Sequence, residues 1–274
     1  MKWNQAFEHE LTEKARAGEL INILDTQKTS HAHTAKSADK MKALHLLRKK
    51  VKDTRLLYEL GLSFTRMSNF TANELGVMIL SDLFELNPQE VISEVYRTAD
   101  SENWEVREWA ASAGGNILSR HFQTAYPILS NWVGDPLPNI RRAAALAVMY
   151  AAKELPERYS EQLISLVEQL LTDRDIYVRK NLGPFAIGGA LLRYYPEKLK
   201  ERILSWHLSD NEQVLWNVAM IFTSAEGAKD KNFALKILKN LACDDRRYVQ
   251  NAVKAAVKNL AKRHKEDFSA MIMV

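Results

Sequence analysis

The chain has 274 residues, of which 46% are hydrophobic and 26% are charged, and its formal net charge is +4. One cysteine, Cys243, excludes an intrachain disulfide framework and a multi-cysteine metal site, and it suits a reducing compartment. The first twenty residues are charged throughout, and no apolar run is long enough to cross a bilayer, so we expect a soluble cytoplasmic protein without a membrane anchor. The mild positive charge is compatible with a polyanionic partner.

The few glycines and prolines and the scarcity of alternating apolar residues predict an all-α protein. Residues 1–25 are predicted to form one or two amphipathic helices. Residues 26–39 are polar and lack apolar periodicity, which predicts a loop. Two histidines in this loop, His31 and His33, stand without a neighbouring set of Cys, Asp or Glu, so we predict no metal site there. Residues 40–60 return to helical spacing.

From about residue 70 the sequence is periodic. The repeats align on β-branched anchors that follow one another at intervals of 34, 38, 36 and 35 residues by residue number: Val106, Ile140, Val178, Val214 and Val249. Two helical patterns per period predict an α-solenoid. Because single repeats cannot bury their apolar faces, we expect one domain over 1–274, with N-terminal helices in 1–69 and helical pairs in 70–265.

Each period contains a first helix, a turn with an aspartate, and a second helix that carries the anchor. The first helices are predicted at residues 89–98, 123–133, 160–171, 196–208 and 232–242. The turn aspartates are predicted to cap the second helices: Asp100, Asp135, Asp173, Asp210 and Asp244. The anchor and the positions four, seven and eleven later form a predicted buried stripe, which in the third repeat is Val178, Leu182, Phe185 and Gly189.

The residue two past each anchor lies about 200° from the buried stripe, because each residue advances about 100° around a helix. Stacked repeats place these residues in one exposed column: Glu108, Arg142, Lys180, Trp216 and Asn251. Trp104 lies one turn before Glu108 on the same face. An exposed tryptophan beside a carboxylate and cations is typical of a binding surface.

Packing explains several of these residues as well. Arg107, Arg141 and Arg179, which directly follow the anchors, are interpreted as links to the turn aspartates of adjacent repeats. Trp109 neighbours a stripe residue and is predicted to be partly core. For Glu108 the alternative is a solvated carboxylate paired with Arg142.

Over residues 85–225, and most closely over 101–150, the chain resembles the bacterial DNA-alkylation-repair glycosylases built from HEAT-like repeats. In that family a Trp followed four residues later by a carboxylate opens a second helix, which Trp104 and Glu108 match. An Arg-Ala-Ala sequence follows one repeat later and is matched here from Arg142. The position of Glu108 is most often Asp in the better-known branch, and the second stacking tryptophan of the family aligns near Pro184, beside Phe185.

The resemblance implies a monomer with a concave basic face that grips duplex DNA and releases 3- or 7-alkylpurines, in the bacterial nucleoid, without a metal or organic cofactor. Glu108 would stabilise the positive charge that develops on the deoxyribose. Trp104 and Trp109 would pack on the sugar-phosphate edge or the cationic base. The residues expected to hold DNA are Arg142, Arg179, Lys180 and Trp216. The alternatives are a non-catalytic solenoid that binds damaged or branched DNA and a protein–protein scaffold.

Overall fold

The computed structural model describes residues 14–26 and 33–268. Its regular elements are helices joined by turns and short loops, so the predicted all-α class is confirmed. The chain forms two compact units, of which the first ends at Ile117 and the second begins at Leu118. Within the described ranges no helix is long and apolar enough to cross a membrane.

The first unit is built from α-helices that pack against their neighbours in the chain. These helices are α1 (Lys14–Asp25), α2 (Ser37–Lys50), α3 (Thr54–Arg66), α4 (Phe70–Asp82), α5 (Pro88–Ala99) and α6 (Trp104–Arg120), whose last turn lies in the second unit. Leu44, Leu47, Phe64 and Leu75 are buried in its core. The apolar positions of the amphipathic patterns therefore meet in one cluster.

The N-terminal predictions can be compared with the structure over residues 14–26 and from residue 33 onward. Helix α1 lies within the predicted helical region, and residues 1–13 lie outside the described part. The predicted loop ends at Lys36 rather than residue 39, because α2 begins at Ser37. His31 also lies outside the described part, whereas His33 is exposed.

Helices α3 and α4 approach each other closely at Gly76. A Cβ atom added there would lie 2.6 Å from the backbone nitrogen of Thr65 and 2.7 Å from the carbonyl oxygen of Gly61. We expect Gly76→Ala to destabilise the protein by about 2 kcal/mol, because two backbones must move apart. The matched control is Gly18→Ala in α1, where an added Cβ meets nothing within 4 Å and should stabilise the helix by about 1 kcal/mol. Thermal and urea unfolding of the two variants, followed by circular dichroism, measure opposite shifts if this packing is correct.

The second unit continues the series of helical pairs. Its helices are α7 (Phe122–Trp132), α8 (Pro138–Ala151), α9 (Ser160–Glu168), α10 (Ile176–Asn181), a π-helix (Leu182–Leu191), α11 (Leu192–Tyr194), α12 (Pro196–Trp206), α13 (Glu212–Ile221), α14 (Lys231–Ala242) and α15 (Arg247–His264). The observed first helices α5, α7, α9, α12 and α14 begin within one residue of their predicted starts. The apolar periodicity therefore predicted the helical pairs correctly.

The capping residues differ from the prediction. Asp175 caps α10 by accepting a hydrogen bond from the backbone nitrogen of Tyr177 at 2.8 Å, whereas Asp173 accepts from the backbone of Asp175 in the preceding turn. Asn103 and Asn211 cap α6 and α13 in the same way. A capping side chain reaches only the N–H groups of the first helical turn, so the aspartates one to three residues earlier belong to the connecting loops. The predicted capping by these aspartates is wrong for all three helices.

The segment Leu182–Leu191 forms a π-helix directly after α10. Pro184 has no N–H group to donate into an α-helical ladder. Gly188 packs so closely that an added Cβ would lie 2.7 Å from the carbonyl oxygen of Ile221. The wider π-helical turn thus occurs where proline interrupts the usual hydrogen bonds, and such turns are frequent at functional sites.

The π-helix changes which residues face the core. Each turn contains more residues than in an α-helix, so the buried stripe continues from Leu182 through Ile187 instead of Phe185. Phe185 is 56% exposed. Its predicted burial is therefore wrong, and the exposed aromatic ring becomes part of the surface of the second unit.

Candidate functional site

Trp104 is the first residue of α6. Asn103 precedes it and caps the helix, because its Oδ1 accepts hydrogen bonds from the backbone nitrogens of Glu105 at 2.9 Å and Val106 at 3.4 Å. The Trp104 side chain is 49% exposed, which is unusual for an indole. Glu108 lies one turn further along the same face and is half-buried. The structure thus brings these two predicted site residues together on one helical surface.

The adjacent face of α6 is attached to the start of α2 through Glu105. This carboxylate accepts hydrogen bonds from Lys40 Nζ at 2.8 Å, Thr34 Oγ1 at 2.8 Å and Ser37 Oγ at 3.4 Å. Lys40 is fully buried, and its ammonium group also donates to Glu74 Oε2 at 2.7 Å. A buried network of charged side chains therefore anchors the first turn of α6.

Trp109 belongs to the same network. The Lys40 ammonium nitrogen lies 4.8 Å from the centroid of its ring, which is within the range of a cation–π interaction. The ring is half-buried and packs against the apolar core of the first unit. This geometry agrees with the interpretation that Trp109 is partly core, and its contact with DNA remains a prediction.

The pKa values of the two carboxyl groups around Lys40 are shifted in opposite directions. Burial raises the pKa of Glu74 to about 8, although the charge and hydrogen bond of Lys40 lower it. Burial also acts to raise the pKa of Glu105, but hydrogen bonds from Lys40 and Thr34 outweigh it and hold that pKa below its ordinary value. At neutral pH the network therefore combines an ionised Glu105 with a protonated Glu74.

In the second unit, Arg142 is nearly buried, with 5% of its surface exposed. The outward orientation expected from its position in the column is therefore not observed. The guanidinium carbon lies 4.5 Å from the centroid of the Tyr177 ring, which belongs to the next repeat, and this stacking covers the arginine. The guanidinium plane is thereby held in a defined orientation at the start of α8.

Arg179 and Trp216 form a second cation–π cluster with Tyr248. The Arg179 guanidinium carbon lies 5.1 Å from the centroid of the Trp216 ring and 5.4 Å from that of the Tyr248 ring. A guanidinium nitrogen of Arg179 donates a hydrogen bond to the Tyr248 hydroxyl group. The two rings stack with centroids 5.9 Å apart, and the Tyr248 hydroxyl donates to Gln213 Oε1 at 2.8 Å. Two predicted site residues therefore come together in a cluster of three repeats.

The arginines after the anchors behave differently from one another. Arg141 links two repeats as predicted, because its Nε donates to Asp173 Oδ2 at 2.6 Å. Arg107 donates to the carbonyl oxygens of Ser101 and Glu102 in the loop before its own helix. Lys180, which follows Arg179 in the chain, is exposed, as predicted from its position in the column.

Several contact residues were missed from the sequence, although a signal existed for some of them. Four of these residues share one position in the repeat alignment, directly before an anchor: Glu105, Tyr177, Gln213 and Tyr248. This position lies beside the column residue of the preceding repeat, as the contact between Arg142 and Tyr177 shows. Lys40 has no such signal, because it precedes the periodic region and resembles any lysine of an amphipathic helix.

Residues 40–185 match the family described as DNA alkylation repair enzyme. Two solved structures from Streptococcus mutans share the fold. AlkD2 is 18% identical, with a TM-score of 0.61 over 75% of this chain and 97% of its own. The protein smu.31, from strain UA159, is 17% identical, with a TM-score of 0.59 over 76% of this chain and 96% of its own. A comparison with curated proteins finds no match.

Proposed function

We propose, from the premise that this chain belongs to the DNA alkylation repair enzyme family, that it is a DNA glycosylase that releases cationic alkylated purines. A role in DNA repair follows from the family. The observation that supports the glycosylase activity is the placement of the exposed Trp104 one helical turn before Glu108 at the N-terminal end of α6. Both residues lie within the part of the chain that matches the family.

The proposed reaction requires little from the protein besides binding and electrostatics. Alkylation at N3 or N7 leaves the purine positively charged, so the base is already a good leaving group. As the glycosidic bond breaks, positive charge develops on the deoxyribose. The carboxylate of Glu108 stabilises this charge and orients the attacking water, which adds to C1′ and releases a proton to solvent as the base departs neutral with the electrons of the glycosidic bond. The Trp104 ring packs against the sugar or the cationic base through its π-face.

The second unit supplies the proposed contacts to the DNA backbone. Lys180 is exposed and reaches phosphate as a mobile point charge. The guanidinium group of Arg179 is oriented by aromatic rings, which reduces the conformational entropy lost when it binds phosphate, whereas Arg142 is covered by Tyr177 and is assigned no phosphate contact. The exposed Phe185 ring extends this surface with an apolar contact.

Backbone contacts of this kind predict a measurable dependence on salt. We expect Lys180→Ala to weaken binding of duplexes of any sequence equally, and to reduce the slope of log K against log salt concentration by about 0.9, because one fewer counterion is released. Fluorescence anisotropy with two unrelated duplexes measures both effects. Lys198→Ala, at a half-buried lysine that pairs with Glu161 and Glu201 on the first-helix side, is the control and should leave the slope unchanged. An unchanged slope for Lys180→Ala would remove that residue from the interface.

The experiment that tests the proposed function is base release from methylated duplex DNA by the wild-type protein. We expect free 7-methylguanine and 3-methyladenine, detected by chromatography with mass spectrometry. Salt-dependent duplex binding without base release would support the non-catalytic DNA-binding alternative. Absence of duplex binding would favour the protein–protein scaffold.

A further inference from the structure

We propose that Lys40 is a positioning residue that sets the orientation of Trp104 and Glu108 from the inner side of α6. The inference rests on the proposed function, which assigns the chemistry to those two residues. Lys40 itself lies below the surface and contacts neither base nor sugar in this assignment. Its role is therefore to hold the helix that carries the reacting carboxylate.

Stability alone is a weak explanation for this lysine. Lys40 is fully buried beside the buried, protonated Glu74, and removing its ammonium group from water costs several kcal/mol. Within the described residues, Glu74 Oε1 is also buried without a hydrogen-bond partner. Apolar side chains of similar volume often stabilise a protein at least as well as a buried ion pair. The network is thus better explained by geometry than by folding energy.

Lys40 contacts α6 at one residue before Glu108 in the sequence and at one residue after it. Lys40 binds the carboxylate of Glu105, three residues before Glu108, and the ring of Trp109, one residue after it. Glu105 and Trp109 share one face of α6, because residues four apart lie about 40° apart around a helix. Trp104 and Glu108 occupy the neighbouring face. Holding the first face fixes the rotation of the helix and therefore the direction of the second.

Three other residues restrict the same turn. Thr34, in the segment before α2, and Ser37, the first residue of α2, donate to Glu105, and Asn103 caps α6. Lys40 is the member of this set that joins Glu105 to Glu74 on α4, so it ties the catalytic turn to the core of the first unit. Loss of Lys40 should loosen the attachment of the first turn of α6 to α4, while the cap and the buried stripe of the helix remain.

The test compares Lys40→Met with Lys49→Met, the same substitution at an exposed lysine of α2. Single-turnover release of 7-methylguanine and the Kd for the same duplex are measured with the full-length proteins. We expect Lys40→Met to lower the rate constant by about 100-fold with Kd changed less than about threefold, because misplacing a reacting group affects the chemical step rather than binding. Lys49→Met should change the rate constant less than about twofold. A normal rate in Lys40→Met would overturn the inference.

A second variant covers the case in which Lys40→Met does not fold. Glu105→Gln keeps the hydrogen bond between Lys40 and Glu74 and removes the negative charge on α6. We expect an intermediate loss of about tenfold in the same rate constant, again without a change in Kd. An unchanged rate constant in a folded Glu105→Gln protein would contradict the role of the network.

A spectroscopic measurement separates this inference from the proposed function. In protein labelled with ¹⁵N at the indole nitrogens, the signals of Trp104 and Trp109 should shift in Lys40→Met, while those of Trp132 and Trp206 stay in place. If the wild type releases no base, the glycosylase proposal fails, and these shifts still decide whether Lys40 orients α6. An unshifted Trp104 signal would show that it does not.

Discussion

Replacing Glu108 with glutamine is expected to lower the rate of 7-methylguanine release by about 100-fold or more. The substitution keeps the size of the side chain but removes the negative charge that opposes the oxocarbenium character of the sugar. Preorganised electrostatic groups of this kind contribute about 100- to 1000-fold to catalysis where they have been removed singly. The measurement is a single-turnover time course with methylated duplex, because it isolates bond cleavage from product release.

The control for this prediction is Glu102→Gln, which removes one carboxylate from the exposed loop before α6. We expect this variant to release base at the wild-type rate, since its side chain lies before the helix that carries Glu108. Duplex affinity should be similar in both variants. Equal rates in the wild type and Glu108→Gln would show that Glu108 is a solvated carboxylate, the alternative that the sequence leaves open.

The second large effect is expected in the pH dependence of stability. The folded protein keeps the Glu74 proton up to about pH 8, whereas the unfolded chain releases it near pH 4.5. Between these values the folded state binds more protons, so the free energy of unfolding falls as the pH rises, by up to about 1.4 kcal/mol per unit. Between pH 4.5 and pH 8 the free energy of unfolding falls by on the order of 4 kcal/mol in total. The stability that the Glu74 proton contributes is fully present below pH 4.5 and is lost as the pH rises through about 8.

Glu74→Gln provides the matched comparison, because an amide keeps an acceptor for Lys40 and does not titrate. The groups that face Glu74 are Lys40 on α2 and Glu105 on α6, and both remain in the variant. Melting temperatures measured between pH 5 and pH 9 should fall for the wild type more steeply than for Glu74→Gln. Parallel curves would show that Glu74 is ionised throughout this range in the folded protein.

The contrast between Phe185 and the other stripe residues shows why sequence periodicity has a limit. A stripe drawn at α-helical spacing predicts Val178 and Leu182 as buried, and both are fully buried. It fails at Phe185, three residues later, because the helix changes its pitch at Pro184 and Gly188. Those two residues were visible in the sequence. Their effect on the pitch depends on the close approach of α13, which the local pattern does not contain.

The repeat could be predicted from the sequence alone. The anchor interval, the starts of the first helices and the placement of Trp104 one turn before Glu108 all follow from local apolar periodicity, because a helical side chain's direction depends on its number along the helix. The all-α class could be predicted on the same basis, whereas the family was predicted from the resemblance of Trp104, Glu108 and the Arg-Ala-Ala sequence at Arg142 to its motifs.

The burial of charged side chains, by contrast, depends on contacts between helices that are distant in the chain. Lys40 contacts Glu74 and Glu105, which lie 34 and 65 residues away in the chain, and Arg179 meets Tyr248 at a separation of 69 residues. A lysine or arginine has the same helical pattern whether its charge faces water or a carboxylate. Its surroundings are fixed by the packing of distant helices, and so are the pKa of Glu74 and the orientation of the turn that carries Glu108.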